Sequence, residues 1–392
     1  MINTLLTRVA GLFDKDYLFA SFIPSLLFNT LLALTLARIV GFEEAFTWID
    51  GWSPIQKAAI TTCSAVWVVV FGYVLNGLRG GFLGFWSGAS RRWWSWGFRR
   101  FGEEIQRYRY RRLRSSSQRT SPWDQVFTEF SDRVDRLYDA GRRQHLRPEQ
   151  EKNLLRLAQA ACWARHAETA AARLGAIEAA YREYRGDDLG KVFAAIKREL
   201  GDRHRHESMR LQALTAELDR RFGSLETVRA TALGNVIESY LVYPWKRYHI
   251  EAEIFWPRLR HVLSEKYAPF VADQQTLLDF SVTMASLAAI YGLLALLVGP
   301  WLWFRPWFWP AVAGVAFLMS GFFYRLAVQT AQGFGDLVRS SFDLFRLDLM
   351  AALLRPDPAT LFAERAQWTE LSELVVYGQA VDFSLVGTKA KP

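Results

Sequence analysis

Four nearly unbroken apolar stretches, Tyr17 to Val40, Ala58 to Leu78, Phe280 to Gly299 and Trp307 to Val328, punctuate a chain otherwise dense in charge. Each approaches the ~20 residues that carry a helix across ~30 Å of hydrocarbon. An open strand edge in lipid would leave backbone donors and acceptors unpaired, so each stretch is expected to be helical. Pro24 is expected to kink the first. No Asp or Glu falls in the central part of any span, which removes the residues usual in a proton relay or cation-coupled transporter. Arg305 and Arg325 lie at span ends, where such side chains snorkel to opposite membrane faces.

The polar intervals set the orientation. After the second span, Arg79 to Arg114 contains ten arginines, two glutamates and no lysine, a net +8 out of +9 for the whole chain. The interval Gly41 to Lys57 instead carries Glu43, Glu44 and Asp50 against Lys57. Cytoplasmic flanks are enriched in Lys and Arg, so both termini and the long interval between spans two and three are expected inside, in a bacterial cytoplasmic membrane. The third and fourth spans are joined by GPWLWFRPWFWP, whose prolines end two helices and whose Trp301, Trp303, Trp307 and Trp309 form an interfacial belt facing outside.

The fold class that follows is all-α, a four-span integral membrane protein with a large helical cytoplasmic insert. Residues 1–89 hold an amphipathic start and two spans, 90–279 the insert, 280–330 the second pair of spans, and 331–392 an amphipathic helical tail. The N-terminus lacks a convincing cleavage site, so the first span is expected to be retained. Two cysteines, Cys63 and Cys162, make no disulfide framework and offer no metal spacing.

The insert opens with Arg91, Arg92, Arg99 and Arg100 interleaved with Trp93, Trp94, Trp96, Phe98 and Phe101, a composition suited to anionic inner-leaflet headgroups. Basic and aromatic residues together can also bind single-stranded nucleic acid. Attachment to a span already accounts for the charge, so nucleic acid is not the expected partner. SPWD at Ser121 to Asp124 reads as a helix start, followed by an apolar face at Val126, Phe130, Val134 and Leu137. Leu154, Leu157, Ala161 and Ala164 continue in a second helix, and Phe193, Ile196 and Leu200 in a shorter third. Gly201 and the charged GDRHRHES, Gly201 to Ser208, are expected to bend the chain, as is Gly223. His204 and His206, with Asp202 and Glu207 nearby, do not show three or four converging ligands, and no metal or cofactor is expected.

Small residues suggest association. Gly77, Gly80, Gly81, Gly84 and Gly88 fall along one face of the second span and its continuation, a spacing that lets another helix approach closely. Packing within the chain, a subunit interface and a hinge all remain open readings. Asn29 and Asn76 offer interhelical hydrogen bonds. After the fourth span, Phe334, Leu337, Val338, Phe342, Phe345, Leu349 and Leu353 recur at helical spacing and predict an amphipathic helix docked on the insert, stopped by Pro356 and Pro358 before a shorter helix around Leu361 to Tyr377.

Leu233-Gly234-Asn235, Tyr243-Pro244, Arg247-Tyr248 and Trp256-Pro257-Arg258-Leu259, followed by two spans and FDLFRLDLM at Phe342 to Met350, resemble a family of uncharacterised bacterial multi-span membrane proteins. The similarity covers mainly residues 225–376 and implies architecture, with no catalytic residue to carry over. Read physically, Pro244 and Pro257 are expected to interrupt helices, and Tyr243, Trp245, Tyr248 and Trp256 to anchor the approach to the third span. No Walker loop, HExxH or GxSxG signature is present. The sequence therefore points to a nonenzymatic oligomeric membrane module with a cytoplasmic protein partner, a stimulus-responsive pore being its more specific form. A transporter or membrane enzyme with a site assembled from distant residues is the alternative.

Overall fold

Long apolar runs free of helix breakers become long helices in the computed structural model, which describes residues 15–89, 96–117, 188–299 and 308–377 together with isolated positions between 156 and 179. Most of the described residues are helical, with no strand among them. In chain order the helices are α1 (Lys15–Val40), α2 (Phe42–Asp50), α3 (Pro54–Trp86), α4 (Trp96–Ser117), α5 (Asp188–Arg221), α6 (Ala232–Tyr248), α7 (Ala252–Leu259), α8 (Ala268–Val298), α9 (Phe308–Ala352) and α10 (Leu361–Tyr377). Of these, α1, α3, α8 and α9 are long and apolar enough to cross a membrane. The chain divides into two compact units, one of Met1–Arg109 with Asp219–Pro392 and one of Tyr110–Leu218.

Local chemistry explains several boundaries. Ser53 accepts the backbone N–H of Gln56 while the Gln56 side chain accepts from the Ser53 N–H, a reciprocal cap with Pro54 in the first turn of α3. In α1 the expected proline kink takes the form of a π-turn at Leu18–Phe22, just before Pro24, where the N–H of Ile23 reaches back to Leu18 O. Proline lacks the N–H that would bond Ala20 O and its ring crowds that carbonyl, so one widened turn relieves both faults.

Three expectations need correction, and one helix has no counterpart among them. The acidic interval after α1 contains the amphipathic helix α2, with Phe46 and Trp48 exposed, because Phe42 to Asp50 has no breaker between Gly41 and Gly51. Helix α5 runs unbroken through Gly201 to Ser208, whose charged residues are compatible with helix and leave one glycine too weak to break it. Pro244 and Pro257 lie within α6 and α7; α6 continues four residues beyond Pro244 and ends at His249, which takes the left-handed conformation. The fourth span and the tail helix are one continuous helix, α9, of 45 residues. At 1.5 Å per residue it measures about 67 Å, more than twice the hydrocarbon thickness. The helix starts expected at Ser121 and near Leu154 lie outside the described residues, as do the N-terminal segment and the turn from Pro300 to Trp307.

The main core gathers α6, α7 and α10 against parts of α8 and α9. Leu233 and Tyr240 of α6, Phe255 and Leu259 of α7, Val271 and Leu278 of α8, Phe342 and Met350 of α9, and Trp368 of α10 are buried together. Phe255 meets Trp368 edge to face at 5.1 Å, and Trp256 meets Phe334 at 6.0 Å. Each large side chain so enclosed contributes about 1.5–3 kcal/mol of apolar burial. Among the spans, α8 is the hub: α9 packs along it, and α1 and α3 also contact it.

Candidate functional site

Three spans converge on Arg79. Its guanidinium donates to Asp279 Oδ2 at 3.3 Å, to Ser21 Oγ at 3.0 Å and to the backbone oxygen of Asp16 at 3.3 Å, thereby joining α3 to α8 and to the π-turn of α1. Thr276 donates to Asp16 Oδ1 at 2.5 Å, and Lys15 pairs with Asp273 at 2.6 Å beside them. The side chains of Arg79 and Asp279 are 20% and 17% exposed, so their charges are largely withdrawn from water and compensate one another. Sequence reading placed Arg79 among the flank arginines and missed its partners. The available signal was an acid just before the first and third apolar runs, at the height where the second run ends.

A second polar network lies between α6, α9 and α10. Tyr243 and Tyr248 both donate to the Asp343 carboxylate, at 2.9 and 2.7 Å. Arg346 stacks its guanidinium on the Tyr248 ring at 4.2 Å, donates from Nε to Glu364 at 2.7 Å, and bonds the Asp343 carbonyl. Arg339 reaches Ser239 Oγ and the carbonyl of Asp219. Burial, and then the hydroxyl's donation to Asp343, push Tyr248 up to about 12, and the same causes raise Tyr243. Burial also raises Tyr240. Both hydroxyls are therefore fixed donors at neutral pH, which suits bracing rather than proton transfer.

The residues of the resemblance meet in this region. Gly234 lies so close to Ser87 that an added Cβ would stand 2.0 Å from its carbonyl oxygen. Asn235 is buried with its amide fully engaged: Oδ1 accepts from Arg229 N, and Nδ2 donates to the carbonyls of Arg229 and Thr231. Pro244 is buried, Trp256 packs on Phe334 and Phe342, and Arg258, the penultimate residue of the short helix holding Pro257, donates to Ile254 O. Tyr248 and Trp256, expected as interfacial anchors, pack into the core instead, because α9 extends far enough to cover them. Two blocks about 100 residues apart, Tyr243 to Tyr248 and Phe342 to Arg346, thus form one network.

The glycines separate into two groups. A Cβ added at Gly77, Gly80 or Gly81 meets nothing within 4 Å. Gly88, at φ +69°, packs on Ala230 and Thr231, and the carbonyl of Gly84 accepts from Ser87. In α4, Arg99 and Arg107 pair with Glu103, Gly102 presses against Ala230, and Phe98, Phe101, Ile105 and Tyr108 form an exposed stripe on another face. Arg100 is exposed on the same helix. Trp309 is buried against Ala295 and Ala313, inside the α8–α9 hairpin rather than facing headgroups. The side chains of Arg91, Arg92, Trp93, Trp94, Trp96, Trp301, Trp303 and Trp307 lie outside the described set. No group of three or more His, Cys, Asp or Glu able to hold a metal occurs among the described residues.

Comparison with family models, curated proteins and solved structures gives no match to this chain.

Proposed function

We propose that this chain is a nonenzymatic interaction module of the bacterial cytoplasmic membrane, assembling into homo-oligomers through α3 and holding its helical domain on the cytoplasmic side. The observation that carries the reading is the open face at Gly77, Gly80 and Gly81. These glycines straddle the end of the second span, whose most apolar window is 11% buried against 50% for α8. Other span glycines differ among themselves: Gly72 lies under Tyr17 and Gly292 under Phe317, whereas Gly314 and Gly321 of α9 are open like those of α3. A span face without side chains allows a second helix to approach closely, where van der Waals packing drives association in lipid. The arginine flank after α3 and the acids before it support the orientation, and the aromatic-arginine stripe of α4 supports contact with anionic headgroups. A stimulus-responsive pore is the specific form in which α3 lines a ring.

The test is the mass of the protein in nanodiscs, for the natural chain and for Gly80→Leu and Gly81→Leu. The natural chain is expected to be oligomeric and both variants shifted toward monomer, with helical content by circular dichroism unchanged because an added Cβ meets nothing within 4 Å in its own chain. A natural chain that stays monomeric at every loading overturns the proposal. Ion flux from loaded liposomes then separates a pore from a scaffold.

A further inference from the structure

Between α1, α8 and the first half of α9 runs an apolar groove of about 650 Å³. Along α1 it extends from Pro24 to Arg38, while α9 passes in the opposite sense from Phe308 to Phe323. The roughly fourteen helical rises between Pro24 and Arg38 measure about 21 Å, somewhat more than the ~15 Å that one leaflet's chains span. Its polar hydroxyls are satisfied within the wall: Thr35 donates to Leu31 O at 2.8 Å, and Tyr291 bonds the Thr35 hydroxyl. Arg38, an exposed residue, places a positive charge at one end. A water-soluble ligand would need several convergent polar partners, which such walls do not supply. A long unbranched apolar tail with one anionic head matches both the length and the charge.

We propose that the groove binds an acyl chain of an anionic phospholipid whose phosphate is held by Arg38. The site rests on the four-span reading but is built on α1, α8 and α9, so it stands or falls separately from the α3 oligomer face. The occupant is a lipid bound at a fixed position, distinct from the mobile lipid around the spans. Its chain enters sideways from the bilayer, since the groove lies along the outside of the α8–α9 hairpin.

Native mass spectrometry of the full chain reconstituted with phosphatidylglycerol and phosphatidylcholine of identical chains tests this. One phosphatidylglycerol per chain should be retained with about a tenfold preference, the size expected of a charge-assisted contact. Arg38→Gln should abolish that preference. Ala288→Phe and Ala311→Phe, which fill the groove from α8 and α9, should each lower retention of both lipids at unchanged melting temperature. Equal retention of the two headgroups by the natural chain, or natural retention by both filled variants, overturns the proposal. Loss of an oligomer rather than of lipid in the filled variants would make the groove a subunit contact and overturn it equally.

Discussion

At Gly234 a single methyl group decides how closely α6 can approach the end of α3. The 2.0 Å separation between an added Cβ and Ser87 O is a clash with backbone, which cannot swing aside as a side chain would. Gly234→Ala is therefore expected to lower stability by about 1–3 kcal/mol, read as a lower melting temperature in detergent. Gly335→Ala would displace the Tyr240 ring, a softer neighbour. Tyr248 makes a second residue-scale prediction. Its neutral form is favoured in the folded chain, with a pKa near 12 against ~10 in the unfolded chain. Stability from the neutral hydroxyl is whole below pH ~10 and is lost as pH rises from ~10 toward 12, because only the unfolded chain releases this proton across that window. Tyr248→Phe should flatten the fall in melting temperature between those values; an unchanged slope would show that other groups govern it. Of all this, the glycine at 234 was visible in the sequence, but its partner was not. Ser87 lies 147 positions away, and no periodicity reports such a contact.

At the scale of elements, the Arg79 cluster ties α1, α3 and α8 together. Arg79→Gln is expected to cost about 2–3 kcal/mol, less than for a completely enclosed pair since each partner keeps about a fifth of its exposure. Asp279→Asn should cost somewhat less. The double substitution Arg79→Met with Asp279→Leu should recover part of the loss, because no uncompensated charge remains. A double-mutant cycle on thermal unfolding measures the coupling, and additive single effects would mean that the pair is not coupled. The four spans and α10 were legible because apolar runs and helical spacing report burial within one helix. Helix ends were less so. Apolar runs mark where lipid stops, whereas α3, α8 and α9 continue past it on propensity and on packing against α6 and α7. The fusion of the fourth span with the tail illustrates this: Val328 to Phe334 contains no proline, and nothing there stops a helix. Pro244 misled in the opposite direction, since a residue in a well-packed helix can hold its place without its N–H when buried neighbours compensate.

At the scale of the first compact unit, the main aromatic core joins α6, α7 and α10 to the long helices α8 and α9, while the Arg79 cluster locks α3 to the first halves of α1 and α8. That arrangement follows from the two solvents the chain meets. Within lipid, apolar side chains gain little by leaving one hydrocarbon environment for another, so the spans touch through small residues and a few hydroxyl bonds, such as Ser320 to Ala285 O at 2.8 Å. In water the burial of Phe255, Phe342 and Trp368 is strongly favourable, and the helices gather there.

One consequence concerns mechanics. Helix α9 passes from Phe308 to Ala352 without a joint, clasped by α8 along one portion and by α6, α7 and α10 along the other. A shaft of this kind has no hinge of its own, so a push on the portion packed against Trp368 is expected to tilt or twist the portion packed on α8.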